Sequence, residues 1–582
     1  MKRLFQSIVL LATAHSVTAC STTSSDGPNG EAASGSAWDR GAIVTAAEPY
    51  AVEAAIKMIE KGGHAVDAAI AAHAVLGLVE PQSSGLGGSA LLLVFEAGSK
   101  ELSYFEGRET APAGATPDMF MLDGEVRDFM ETWSSGISIG VPGTVALYKT
   151  AHDAHGKLPW ADVFQPAIRL ARDGFRVPLR LANYMPKMAQ LSRLDENPGA
   201  AEYFYPNGEP LKVGDIRTNP EYADTLTRVA NEGISAFYSG ELAEAMARVA
   251  HQEPLAGSMT TEDISDYHAV EREAVCADFR DVEICSAAPP SSGAAVIMIA
   301  GLYDRLATGT TDQHGKVAAF VDAQRLAYAD RDQYFGDPDV VSVPLEGLIN
   351  PAYLEYRAAE RFAPDELPTP GDPGRMMHQD AAASNRGADT TMETIGTSHL
   401  SIIDNHGNAI AMSASVGAPF GSTRWVGGFV INNEMADFAT EYHAGEGPQA
   451  NAIAPGKRPR SSMSPTIVLD ASGNVRMLTG SPGGNSIPAY VGKTIVGVLD
   501  WGFTAQEAVD FPNIVARGAH VRVEVSVEPG PAIAEDLASR GYDVQERDGE
   551  NSGLHVIVVR PGLLDGAADK RREGMVRTTP AN

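Results

Sequence analysis

The stretch TSHLSIIDNHGNAIAMSAS, residues 397 to 415, begins with the hydroxyl of Thr397 and ends with that of Ser415. HLSIID and AIAMSAS each alternate apolar and polar residues, the period of a half-buried strand. Asn405-His406-Gly407 suits a three-residue hairpin loop with glycine in the left-handed position. Thr397 and Ser415 stand equally far from its centre. Paired across the ladder, their β-carbons would lie roughly 5 Å apart, close enough for the hydroxyls to hydrogen-bond. Such pairs also decorate ordinary sheets. A threonine hydroxyl is a weak nucleophile that needs a base, and no Ser-His-Asp signature supplies one, so spacing alone leaves both readings open.

The elements around this hairpin come from a chain of 582 residues with 44% apolar content and a formal charge of −30. The length allows one large or two to three ordinary domains. The acidity argues against non-specific nucleic-acid binding, and no nucleic-acid partner is expected. EPYAVEAAIKMIEKGG reads as a helix with Pro49 early and Gly62-Gly63 as its stop. AVDAAIAAHAVLGLVE is apolar nearly all round and should be a buried helix, with His64 and His73 as packing residues. ALLLVF and ELSYFEG read as strands, the middle of the chain as mostly helical, and the part beyond about 393 as short strands with Gly/Pro turns. Helices and strands in separate blocks point to an α+β fold. No metal cluster is apparent, SGLGGS follows a helix and precedes a strand, the reverse of the order a dinucleotide loop requires, and no cofactor is expected.

The N-terminus reads as a processing signal: Lys2 and Arg3, then an apolar stretch, then VTAC ending in Cys20. The string resembles a bacterial lipobox, giving a signal peptide over 1–19, a lipidated Cys20, and a flexible tether over 20–37. The body would then be exported and periplasmic, hung from the outer membrane by its lipid alone. The other cysteines, Cys276 and Cys285, are symmetric about Arg280-Asp281. A two-residue turn there would set the thiols side by side, and an exported compartment permits a disulfide. Two separate buried thiols remain the alternative.

TSHLSIIDNHGNAIAMSASVGAPFG resembles the processing-site segment of the gamma-glutamyltransferase family, N-terminal-nucleophile hydrolases made as one precursor that cuts itself before a threonine. GGHAVDAAIAAHAVLGLVEPQSSGLGG, GRETAP, IGVPGTVALY and RLAYADRDQYFGDPD are similar to the family's large subunit. INNEMADF, KRPRSSMSPTIV, TGSPGG and GAADKRREG are similar to its small subunit. The resemblance implies a four-layer αββα sandwich with the two subunits intertwined in one body. It implies cleavage between Gly396 and Thr397, giving a large subunit over 38–396 and a small one over 397–582. The base would then be the new α-amine of Thr397, with an unperturbed pKa of about 7.7 to 8.0.

By the same resemblance, Ser415 holds the nucleophile, and Gly483 and Gly484 in SPGG give oxyanion donors. Arg108, Ser461 and Ser462 bind the α-carboxylate of a γ-glutamyl group, while Glu434 and Asp437 bind its α-ammonium. The implied activity is γ-glutamyl hydrolysis and transfer, on glutathione and other γ-glutamyl amides, with water or an amino acid or peptide as acceptor. The chain departs from the family at Gly417, where Asn or Glu is usual, and in a short segment over 438–451. Both departures keep a glutaryl-type acylase in view as an alternative. A non-catalytic, lipid-tethered binding protein is the reading outside enzymes.

Overall fold

The computed structural model describes residues 38–360, 362–374, 386–389, 391–440 and 447–580. The signal peptide, Cys20 and the tether lie outside these, as does part of 438–451. No helix of the described residues is long and apolar enough to cross a membrane.

Two sheets make the centre. The first runs in spatial order Met575–Thr578, Ile43–Ala46, Gly396–Ile403, Ala409–Gly417, Ser89–Glu96, Glu101–Gly107 and Val270–Arg272. The second runs Leu563–Ala568, His555–Arg560, Val475–Thr479, Thr466–Asp470, Val282–Ser286 and Val275–Phe279. Strands from both sides of Thr397 enter each sheet, so the two segments are interleaved in one body.

Side-chain alternation builds the layers. Leu92, Val94, Leu400, Ile402, Ile410 and Met412 face one way, into a core shared with the helices Pro49–Glu60 and Ala65–Val79. Leu91, Leu93, Phe95, Ile403, Ala409 and Ala411 face the other way, into a core shared with the second sheet and the helices Gly293–Leu306 and Ile487–Leu499. The order is helices, sheet, sheet, helices, an αββα sandwich. Each large apolar side chain fully buried here contributes roughly 1.5–3 kcal/mol. The helix Ala65–Val79 is buried at every residue, and its alanines let it lie close against the sheet. His64 caps it, its side chain accepting from the Val66 N–H, and His73 packs on Tyr148, both structural histidines.

The central hairpin is the one predicted in register but not in burial. Thr397 pairs with Ser415 and Ile403 with Ala409, and Gly407 turns at φ +87°. Both strands are buried on both faces, because a second sheet covers the face that alternation left polar. Thr397, His399, Ser401, Ser413 and Ser415 alternate onto that inter-sheet side, where His399 bridges Ser413 (2.9 Å) and Ser401 (3.1 Å). Cys276 pairs with Cys285 across the two-residue turn, and the sulfurs are bonded.

Candidate active site

The site lies at the open end of the hairpin, where four adjacent strands each end in a polar residue. Thr397 neighbours Ser415, Ser415 neighbours Ser89, and Arg108 follows directly on the next strand, whose Gly107 pairs with Ala90. Strand spacing of about 4.8 Å makes this a row of side chains reaching from the hydroxyl pair to a guanidinium. Arg108 donates to Ser89 Oγ at 3.4 Å, closing the row.

The chain is continuous through Gly396 and Thr397. A bulge sits between them, where the register shifts by one residue against the return strand. Ser415 Oγ donates to the Gly396 carbonyl at 2.8 Å and accepts from the Gly417 N–H at 2.9 Å. The sequence had aimed Ser415 at the Thr397 hydroxyl. In the continuous chain its hydrogen goes instead to the carbonyl that precedes Thr397.

The glycine-rich turn is docked on the same strand. A β-carbon on Gly480 would lie 2.2 Å from the His399 ring, so only glycine lets the turn approach. Gly483 and Gly484 both adopt positive φ, +136° and +56°. A β-carbon on Gly484 would meet the carbonyl oxygens of Glu393 and Thr394 at 2.5 and 2.7 Å. The backbone three to four residues before Thr397 therefore lies directly on this turn.

Arg108 is buried and fully engaged. It pairs with Glu434 and Asp437, each at 2.7 Å, and with Glu109 at 3.3 Å. It also donates to the carbonyls of Pro459 and Arg460. Burial, then the Glu434 charge, push the carboxyls of Asp437 and Glu109 well above the usual range. The predicted acids and cation are thus together, but paired with one another rather than waiting apart.

Ser461 and Ser462 belong to a second cluster. Ser462 Oγ accepts from Arg331 at 2.6 Å, and Ser461 Oγ accepts from the Met463 N–H at 3.2 Å. Arg331 and Arg460 both bind Glu393, four residues before Thr397. Burial raises the Glu393 pKa, but the two guanidiniums overcome it and hold the carboxylate at about 2. Arg460 also meets Asp389 at 3.1 Å.

Gly417 has a local explanation. It adopts φ +91°, and a β-carbon there would lie 2.2 Å from Asn433 Oδ1. That oxygen accepts from the Ala418 N–H at 2.7 Å, so Asn433 fills the space a side chain at 417 would need. Sequence reasoning passed over Asn433, Ser89, Glu109, Glu393, Arg331, Arg460 and Arg572. Most lie inside the quoted motifs, yet nothing in residue type separated them from solvated neighbours.

The gamma-glutamyltranspeptidase family model matches residues 51–579. A glutathione hydrolase proenzyme of Escherichia coli strain K12 is 33% identical over 542 residues, 91% of this chain and 90% of its own. One from Bacillus subtilis strain 168 is 33% identical over 550 residues, again 91% and 90%. Among solved structures, a cephalosporin acylase from Bacillus halodurans superposes with a TM-score of 0.81 at 24% identity, over 96% of this chain and 99% of that one. At that identity the likeness concerns the fold.

Proposed function

We propose, from the premise that this chain belongs to the gamma-glutamyltranspeptidase family, that it is a self-processing γ-glutamyl hydrolase and transferase with Thr397 as nucleophile. The observation that carries this is the Ser415 hydroxyl donating to the Gly396 carbonyl at 2.8 Å. It polarises the one carbonyl that Thr397 must attack to free its own amine.

In maturation the Thr397 oxygen bonds to the Gly396 carbonyl carbon, the C–N bond breaks, and the hydroxyl proton passes to the departing nitrogen. Water then hydrolyses the ester to a Gly396 carboxylate and a free Thr397 hydroxyl. In turnover the α-amine takes the hydroxyl proton while the oxygen bonds to the γ-carbonyl carbon of the donor. The amide C–N bond breaks and the leaving amine carries a proton away. Water resolves the ester to hydrolysis, and an amino-acid or peptide amine resolves it to transfer. Gly483 and Gly484 supply the N–H groups that receive the oxyanion.

A zwitterionic head group suits the buried pairing found around Arg108. The donor's ammonium takes Glu434 and Asp437, and its carboxylate takes Arg108 with Ser461 and Ser462. One internal ion pair is exchanged for two external ones without stranding a charge. The same reading has residues 1–19 direct export and Cys20 carry the lipid that anchors the body at the outer membrane.

Intact mass and N-terminal sequence of the purified protein test the mechanism. Two chains are expected, the smaller starting Thr-Ser-His-Leu, and Thr397→Ala should give one inert chain. A cut or active Thr397→Ala protein sinks the mechanism. Turnover of a γ-glutamyl anilide against a glutaryl anilide separates this donor class from an acylase, since only the former carries the ammonium.

A further inference from the structure

The carbonyl of Thr397 is itself held. Arg572 Nη1 donates to it at 2.9 Å, and Arg572 Nε donates to the Ser552 carbonyl at 3.3 Å. The guanidinium is buried, and its Nη2 has no hydrogen-bond partner among the described residues. Gly553 leaves it room, since a β-carbon there would lie 2.5 Å from Arg572 Cδ and Nε.

This cation is poorly compensated. Its nearest carboxylate, Glu80, stands 3.9 Å away and also faces Arg180 at 3.6 Å, while its other oxygen accepts from Ser398 at 2.8 Å. The remaining charged and titratable neighbours do not cancel it. Asp569 is tied to Arg571 and Ser552, and Tyr184 also faces Arg572. Beyond Glu80, Glu48 is pushed up to about 8 by burial and then by the charges of Glu80 and Glu573. On the inter-sheet side burial pushes His399 well down and His555 to about 4, so both are neutral. Burial and Arg180 press even Arg572 down to about 10, still charged at neutral pH.

We propose that Arg572 is a positioning residue for the nucleophile, fixing the Thr397 main chain and, after the cut, keeping its new α-amine as the free base. An α-amine with a pKa of about 7.7 to 8.0 would be mostly protonated at pH 7 and unable to take the hydroxyl proton. A buried guanidinium on the same residue's carbonyl disfavours the ammonium. The inference rests on the proposed self-processing mechanism.

The test titrates the amine of the matured two-chain protein by competitive acetylation with acetic anhydride, read by mass on the Thr-Ser-His-Leu peptide. The acidic limb of kcat/KM for γ-glutamyl p-nitroanilide is read alongside. Arg572→Met should move both upward by about two pH units, the effect of a unit charge roughly 6–7 Å away at an effective dielectric of about 20. Arg572→Lys should leave the titration in place while lowering kcat. Glu80→Gln, which removes the counter-charge, should move the titration downward. A purely structural role would lower kcat without moving either. An unmoved amine in matured Arg572→Met overturns the inference. Should that variant not mature, an unmoved amine in Glu80→Gln does so. A wild-type chain that stays uncut overturns the mechanism and this inference with it. A matured chain that titrates as expected but turns over no γ-glutamyl amide overturns the donor assignment alone.

Discussion

Around Arg108 one guanidinium meets three carboxyl groups, Glu109, Glu434 and Asp437. Around Glu393 one carboxylate meets two guanidiniums, Arg331 and Arg460. Both clusters are buried beside the same hairpin, yet burial acts on them with opposite net results. In the first, acid is in excess, and Asp437 and Glu109 are pushed toward holding their protons. In the second, cation is in excess, and Glu393 stays ionised down to about 2. The first is short of a cation, which suits the ammonium of the proposed donor. The second is satisfied by a residue on the segment that precedes Thr397.

The largest effect should come from Arg108→Met, which leaves three buried carboxyl groups with no cation. Removing one partner of a buried pair costs about 3–5 kcal/mol. Measured by urea unfolding on the uncut Thr397→Ala background, the loss should be larger at pH 8 than at pH 5, because at pH 5 the acids can neutralise themselves. A loss that does not vary with pH would mean the acid excess is compensated elsewhere, and the contrast between the clusters would fall.

Glu393→Gln comes next. The carboxylate's folded pKa of about 2 lies below its ordinary 4.5, so its contribution is present above pH 4.5 and lost as pH falls through 2. By linkage that is about 3 kcal/mol at neutral pH. The uncut Glu393→Gln, Thr397→Ala double variant should therefore be less stable than Thr397→Ala at pH 7, and the two should converge near pH 2. Equal stability at pH 7 would show that Arg331 and Arg460 do not depend on this carboxylate.

The two clusters also show how far the sequence could be read. The hairpin was legible because a period of two and a loop glycine fix register locally, which brought Thr397 opposite Ser415, and symmetry about Arg280-Asp281 set Cys276 opposite Cys285 in the same way. Its burial was not, since alternation cannot distinguish water from a second sheet beyond the polar face. The αββα layering came through family resemblance rather than periodicity. Arg108, Glu434 and Asp437 were singled out from their motifs, but their mutual pairing depends on segments more than 300 residues apart. Glu393 lies outside every quoted motif, and Arg331, although inside one, is not marked out within it. On the helix Gln313–Tyr334 an arginine among Asp and Gln reads as a solvent face, and only the fold buries it. Arg572 is similar, one of three consecutive basic residues of which the fold turns one onto the strand that carries Thr397.

The smallest effect should distinguish what the acid excess is for. Asp437→Asn removes a carboxyl whose ionised form burial already disfavours, so the melting temperature should move little. The hydrogen bond to Arg108 becomes a neutral acceptor and keeps its place. An ammonium, however, gains much less from an amide oxygen than from a carboxylate it can induce to ionise. A hydrogen bond to a charged group is worth about 1.5–3 kcal/mol against about 1 for a neutral one. The ratio of kcat/KM for γ-glutamyl over glutaryl anilide should therefore fall about tenfold, through the γ-glutamyl value alone. If both donors slow equally, Asp437 holds Arg108 in place rather than reading the ammonium. If neither slows, the acid excess around Arg108 serves some group other than the donor's head.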